Sequence, residues 1–336
     1  MDVRDATIVF FRTIYMRNNK LDFYKGFLMF SVVFGHTINA LLYRTGGHIM
    51  LHTLLRTFDM PMFMLISGFL LRGSLQRHNE WHIIANRTTG IALPAIIWMA
   101  ITFAIGHQNT YYFLWAVFGS SAIIASAHKL FNNEAVRISI IVFCIAVLHA
   151  IDYRCMNMAY LLPFFAVGYY IKSLQLTKWQ GFIAILLFAV AFCFWKTDYT
   201  FWNAGANLLH NTPKMAAIVC FRFAIGILGI AAAVFVLDHL YDKFRNSWII
   251  ATTVKFGKET LGLYLTQYVA VEVGIASLIR AIIAHNNGNP LMNHQILAGY
   301  IIAPLTAFGI LMVLHLIISM LKRTKATRWL FGVKAY

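Results

Sequence analysis

Residues 21–43 read LDFYKGFLMFSVVFGHTINALLY. Roughly 20 mostly apolar residues make a helix long enough to cross a bilayer, and this run breaks its apolar character in only a few places. Asp22 and Lys25 stand at its start, one turn apart, where they can pair and favour helix initiation. His36 follows Lys25 by 11 residues, which is three turns and about 16 Å of rise. The two therefore share a face, Lys25 at one mouth of the membrane and His36 near its middle. An ionisable group at that depth is costly and marks a candidate functional site. Imidazole is also the side chain best suited to proton transfer near neutral pH. The bland alternative is a histidine hydrogen-bonded between packed helices.

The rest of the chain has the same character. Of 336 residues 60% are hydrophobic and only 12% charged, with a mean hydropathy of +0.67. A soluble surface needs about 25% charged residues, so this is an integral membrane protein. About ten apolar segments approach spanning length: 25–43, 53–72, 90–107, 111–127, 137–151, 156–172, 181–196, 214–238, 260–284 and 297–320. Lipid cannot satisfy loose backbone groups, and no sustained period-two pattern suggests a barrel. The expected fold is all-α and polytopic: an N-terminal cytoplasmic or interfacial segment over 1–24, a transmembrane domain over 25–320 and a basic cytoplasmic tail over 321–336. No internal repeat of the transporter kind is seen.

The net charge of +16 does not imply nucleic acid as a partner, because Lys and Arg sit in short clusters between apolar runs. Those clusters include the first 25 residues, Arg72 to Arg87, Lys243 to Lys258 and Lys322 to Lys334. They fall on one side of a ten-span topology, which by the positive-inside rule puts both termini in the cytoplasm. Cys144, Cys155, Cys193 and Cys220 show no metal-binding spacing, and no metal is expected.

A second informative stretch is RTFDMPMFMLISGFLLR, residues 56–72. Arg56 and Asp59 are three apart and can pair on one face. Pro61 invites a kink. Ser67 and Gly68 permit close approach of a ligand or, equally, of a neighbouring helix. Arg72, Arg77 and Arg87 lie on the same side as Lys25, a basic mouth suited to a polyphosphate, although topology explains any one of them. The loops 197–213 and 285–296 are rich in Asn, His and aromatics. Trp202 and Asn203 in the first suit either interfacial anchoring or sugar recognition.

Lys25-x10-His36, MPMF–ISGFLL (60–71) and Arg87…Pro94 stand in an order that resembles membrane acyltransferase family 3, most closely the branch of fucose 4-O-acetylase-related acetyltransferases. YFLWAVF (112–118), LLPFFAVGYYIK (161–172) and FGKETLGLYLTQ (256–267) are similar to later motifs of that family. The resemblance implies acetyl transfer from cytoplasmic acetyl-CoA to a sugar hydroxyl of a glycan or glycolipid outside a bacterial inner membrane. His36 is then general base or acyl carrier, with Asp59 and Arg222 as further catalytic candidates. Arg222 would stabilise the thioester oxyanion or pair with Glu272. CoA phosphates would rest on Lys25, Arg72, Arg77 and Arg87, beside Ser67 and Gly68. A pantetheine arm of roughly 15–20 Å is comparable with the helical rise from Lys25 to His36. Arg56, Trp202, Asn203, Tyr264 and Gln267 are the acceptor candidates. The chain departs from the family where Asp59 and Gln267 replace histidines and Gly90 replaces a basic residue. A transporter, a flippase or a non-catalytic subunit of a glycan-modifying system is the rival function, and homo-oligomerisation is left open.

Overall fold

A computed structural model describes residues 19–42, 49–151, 156–196, 199, 212–286 and 289–332. Among these residues every regular element is helical. In chain order they are α1 (Asn19–Leu41), α2 (Met50–Arg56), α3 (Asp59–Leu75), α4 (Glu80–Ala104), α5 (Tyr112–Leu130), α6 (Glu134–Ile151) and α7 (Met156–Tyr170). Then follow α8 (Lys178–Cys193), α9 (Thr212–Phe244), α10 (Trp248–Lys258), α11 (Thr260–Asn286) and α12 (Leu291–Leu321). Each of the ten expected segments is helical over most of its length. Among the described residues 6 helices qualify by length and apolarity as membrane spans: Met50–Leu75, which joins α2 to α3, α4, α5, α9 from Ala216, α11 and α12. The chain is a multi-pass membrane protein.

α1 lies in the middle of the bundle. Leu28, Met29, Val33 and Ile38 are wholly buried, and α3, α10, α11 and α12 all pack on it. Its closest neighbour, α10, was not expected as an element, because its 11 residues are too few to span a bilayer. Gly26 and Gly257 explain the fit. A Cβ on Gly26 would overlap the Thr253 carbonyl, and one on Gly257 the Asp22 carbonyl. The same device joins α3 to α7: a Cβ on Gly68 would overlap the Phe165 carbonyl, and one on Gly168 the Leu65 carbonyl. Small residues bring backbones together where no hydrophobic driving force separates helix from lipid.

Three helices contain wide π turns. Thr88–Ala92 in α4 and Ala298–Ile302 in α12 each come just before a proline, Pro94 and Pro304, whose missing N–H disturbs the helical ladder. The third, Val269–Ile275 in α11, contains no proline and carries Glu272. At one end of the bundle Lys20 pairs with Asp238 at 2.9 Å and Tyr24 bonds the same carboxylate. At the other, the Asn289 amide donates to the Leu41 carbonyl at 2.9 Å and so caps α1.

Candidate active site

α1 presents the two residues on which the functional reading rests. Lys25 Nζ meets Asp22 Oδ1 at 2.6 Å, the pair that the one-turn spacing predicts. Three turns further along, His36 Nδ1 lies 2.8 Å from Glu272 Oε1. A carboxylate oxygen only accepts, so Nδ1 carries the hydrogen and donates it. The lone pair of the neutral ring is then on Nε2. The His36 side chain is 36% accessible. Glu272 reaches the imidazole from the π turn of α11, where a widened turn re-aims side chains and is frequent at functional sites.

Asp59, at the first turn of α3, is buried. Its Oδ1 accepts the Met60 amide at 2.6 Å and its Oδ2 the Ser31 hydroxyl at 3.3 Å. Arg56 and His36 both act on this carboxylate electrostatically. The expected Arg56–Asp59 ion pair does not form. That expectation assumed one continuous helix, whereas α2 ends at Arg56 and α3 starts at Asp59 after a turn at Thr57 and Phe58. Three residues across such a turn do not share a face, and Arg56 stays exposed.

Arg222, buried on α9, places its guanidinium 4.2 Å from the centre of the Tyr160 ring, a cation–π contact. The expected Arg222–Glu272 pair is replaced, since Glu272 engages His36. Of the acceptor candidates, Tyr264 is buried, with Tyr111 at 6.3 Å and Phe113 at 5.6 Å between ring centres. Tyr111 donates its hydroxyl to the Leu265 carbonyl at 3.1 Å. Gln267 is also buried, and its Oε1 finds no hydrogen-bond partner among the described residues. Trp202 and Asn203 lie outside the described residues.

The basic residues expected at the opposite mouth are not gathered in one place. Arg72 donates to the carbonyls of Tyr170 at 3.3 Å and Ile171 at 3.2 Å. Arg77 is exposed and folds back on its own helix, Nε donating to Gly73 at 2.8 Å. Arg87 ends the regular part of α4 before the π turn. Gly68 is taken up by packing against α7, which leaves no open approach to its backbone, while Ser67 beside it is half-buried. Glu272 is the functional candidate whose role sequence reasoning missed. The available signal was a sole carboxylate within an otherwise apolar span, a costly placement.

Comparison with known proteins bears on the family of the chain. A family model described as an acyltransferase domain matches residues 18–324. Nodulation protein NolL of Sinorhizobium fredii is 26% identical over 286 residues, covering 75% of this chain and 77% of that protein. Nodulation protein NolL of Mesorhizobium japonicum is 26% identical over 291 residues, covering 75% and 76%. No solved structure matches.

Proposed function

The chain belongs to membrane acyltransferase family 3, and from that premise we propose that it moves an acetyl group from cytoplasmic acetyl-CoA to a sugar hydroxyl of a glycan or glycolipid on the outer face of a bacterial inner membrane. The observation that carries this reading is the His36–Glu272 pair. Glu272 fixes the ring and its tautomer and stabilises the imidazolium that forms, and Nε2 is the base. Nε2 takes the proton of the acceptor hydroxyl as its oxygen attacks the thioester carbonyl. The carbon–sulfur bond then breaks, and the imidazolium returns the proton to the departing CoA sulfur. The products are the O-acetyl ester and free CoA. Positive charge from Arg56, which acts electrostatically on Asp59, and from the buried Arg222 suits the oxyanion that develops. The distribution of Lys and Arg supports ten spans with both termini in the cytoplasm.

His36→Gln tests the reading in purified protein with acetyl-CoA and glycan acceptors. Glutamine keeps a hydrogen bond to Glu272 but is no base. Acetyl transfer should fall by roughly 100-fold or more with insertion and helix content unchanged. A Gln variant of near wild-type activity rejects the assignment and favours the non-catalytic rival.

A further inference from the structure

Where α3, α5 and α7 end and α6 begins, they leave a cleft of about 310 Å³. Arg72, Arg137 and Lys172 line it, with Glu134, Tyr169 and Tyr170. Three cations face one carboxylate there. The remaining ionisable neighbour, His128, is held by Glu80 at 2.9 Å.

Both guanidiniums are fixed by helix ends. Arg72 binds the carbonyls that close α7. Arg137 donates to the Phe131 carbonyl at 2.5 Å and the His128 carbonyl at 3.5 Å, at the end of α5. A guanidinium has five N–H donors, so each keeps donors and its full charge for an anion. The Tyr169 and Tyr170 rings stand 5.0 Å apart at 81°. The Tyr170 hydroxyl is buried without a partner among the described residues, although a buried phenol normally has one. Preorganised cations, aromatic walls and an unfilled hydroxyl together describe a site for a ligand that carries both phosphate and a flat ring. The volume is at the lower end of the range for small-molecule sites, about 300–1,000 Å³.

We propose that this cleft binds the nucleotide end of the acyl donor, phosphate oxygens on Arg72, Arg137 and Lys172 and the adenine against the tyrosines. The assignment rests on the acyl-CoA reading above, and it relocates the phosphate site from Arg77 and Arg87. Distance along α3 agrees. Arg72 follows Asp59 by 13 residues, about 20 Å of rise, and Asp59 accepts the Ser31 hydroxyl at 3.3 Å, about 7–8 Å along α1 from His36. A pantetheine arm starting at the cleft therefore ends its thioester near the imidazole.

The test is calorimetric titration of adenosine 3′,5′-bisphosphate into the full-length protein in neutral detergent. Lys172→Gln and Arg72→Gln should each weaken binding about tenfold or more, the usual loss for a charged hydrogen bond, and Tyr170→Phe severalfold. Lys172→Gln is the variant least able to disturb folding, because it caps no helix. If it binds within twofold of wild type, the proposal is overturned. His36→Gln should bind the nucleotide as wild type does. Intact nucleotide binding without any acetyl transfer by the wild type would reject the enzyme reading and leave the cleft standing. Unchanged KM for acetyl-CoA in Lys172→Gln would reject the cleft and leave the enzyme. A phosphate-bearing lipid shares the chemistry. If nucleotide does not bind, but phosphatidylglycerol from mixed vesicles is retained by wild type and lost by Lys172→Gln, the site belongs to a headgroup and the nucleotide assignment falls.

Discussion

Glu272 accepts from His36, and in the proposed reaction it positions the base without touching the reacting atoms, so its loss should register differently from loss of the base. Glu272→Gln keeps an acceptor oxygen at the same place and removes the charge. Initial-rate kinetics should show kcat reduced roughly 10-fold or more with KM for acetyl-CoA nearly unchanged, and Glu272→Asp recovering part of the rate; equal changes in both constants would mean that Glu272 serves binding instead. Lys25 poses a related question, since its ammonium already meets Asp22. Lys25→Met alone removes the ion-pair partner of the buried Asp22 carboxylate, a loss of up to about 3–5 kcal/mol for a buried pair. Adding Asp22→Asn should restore thermal stability while KM for acetyl-CoA stays about tenfold high, as a phosphate contact requires. A double variant with wild-type KM assigns Lys25 to folding alone. These residues were legible in unequal measure. Asp22–Lys25 and the depth of His36 follow from periodicity within one helix. The partner of His36 is 236 residues away in the chain, and only the tertiary fold brings it near. Arg56 and Asp59 misled because a two-residue turn between them cancels the helical spacing.

At the level of helices, the ten segments that hydropathy located are helical over most of their length, and among the described residues 6 helices are long and apolar enough to span. Hydropathy missed α10, which is short and owes its place to backbone contact at Gly26 and Gly257. It could not foresee the π turn at Val269–Ile275 either, which has no proline to announce it. The glycine contacts make the packing testable. Gly68→Ala and Gly257→Ala should each lower stability by about 1–3 kcal/mol through overpacking, read as the thermal midpoint in detergent. Gly309→Ala is the control: a Cβ there meets nothing within 4 Å, and alanine favours the helix by up to about 1 kcal/mol. A Gly309 variant as unstable as the Gly68 variant would refute the interlock.

Across the whole molecule, large apolar side chains such as Phe103, Phe143, Trp179, Leu305 and Leu316 point outward, whereas Asp59, Arg222, Thr266 and Gln267 are turned inward. The surface is thus suited to lipid, and the polar chemistry runs through the interior between the two mouths. Single cysteines in a background lacking the four native ones test the orientation. Gln76→Cys and Arg323→Cys should react with an impermeant maleimide only from the cytoplasm, and Gln108→Cys and His285→Cys only from outside. Labelling of both pairs from one side contradicts the ten-span topology. The cap that Asn289 places on Leu41 has a mechanical consequence. Glu272 and Asn289 follow one another along a single stretch of chain, and they grip α1 at two heights, His36 and Leu41. A slip of α11 by one turn, about 5.4 Å, breaks the rung at His36, while the rung at Leu41 starts from Asn289, beyond the end of α11. The far end of α1 is therefore held independently of α11, so that a shift of α11 moves the carboxylate past a histidine that stays in place.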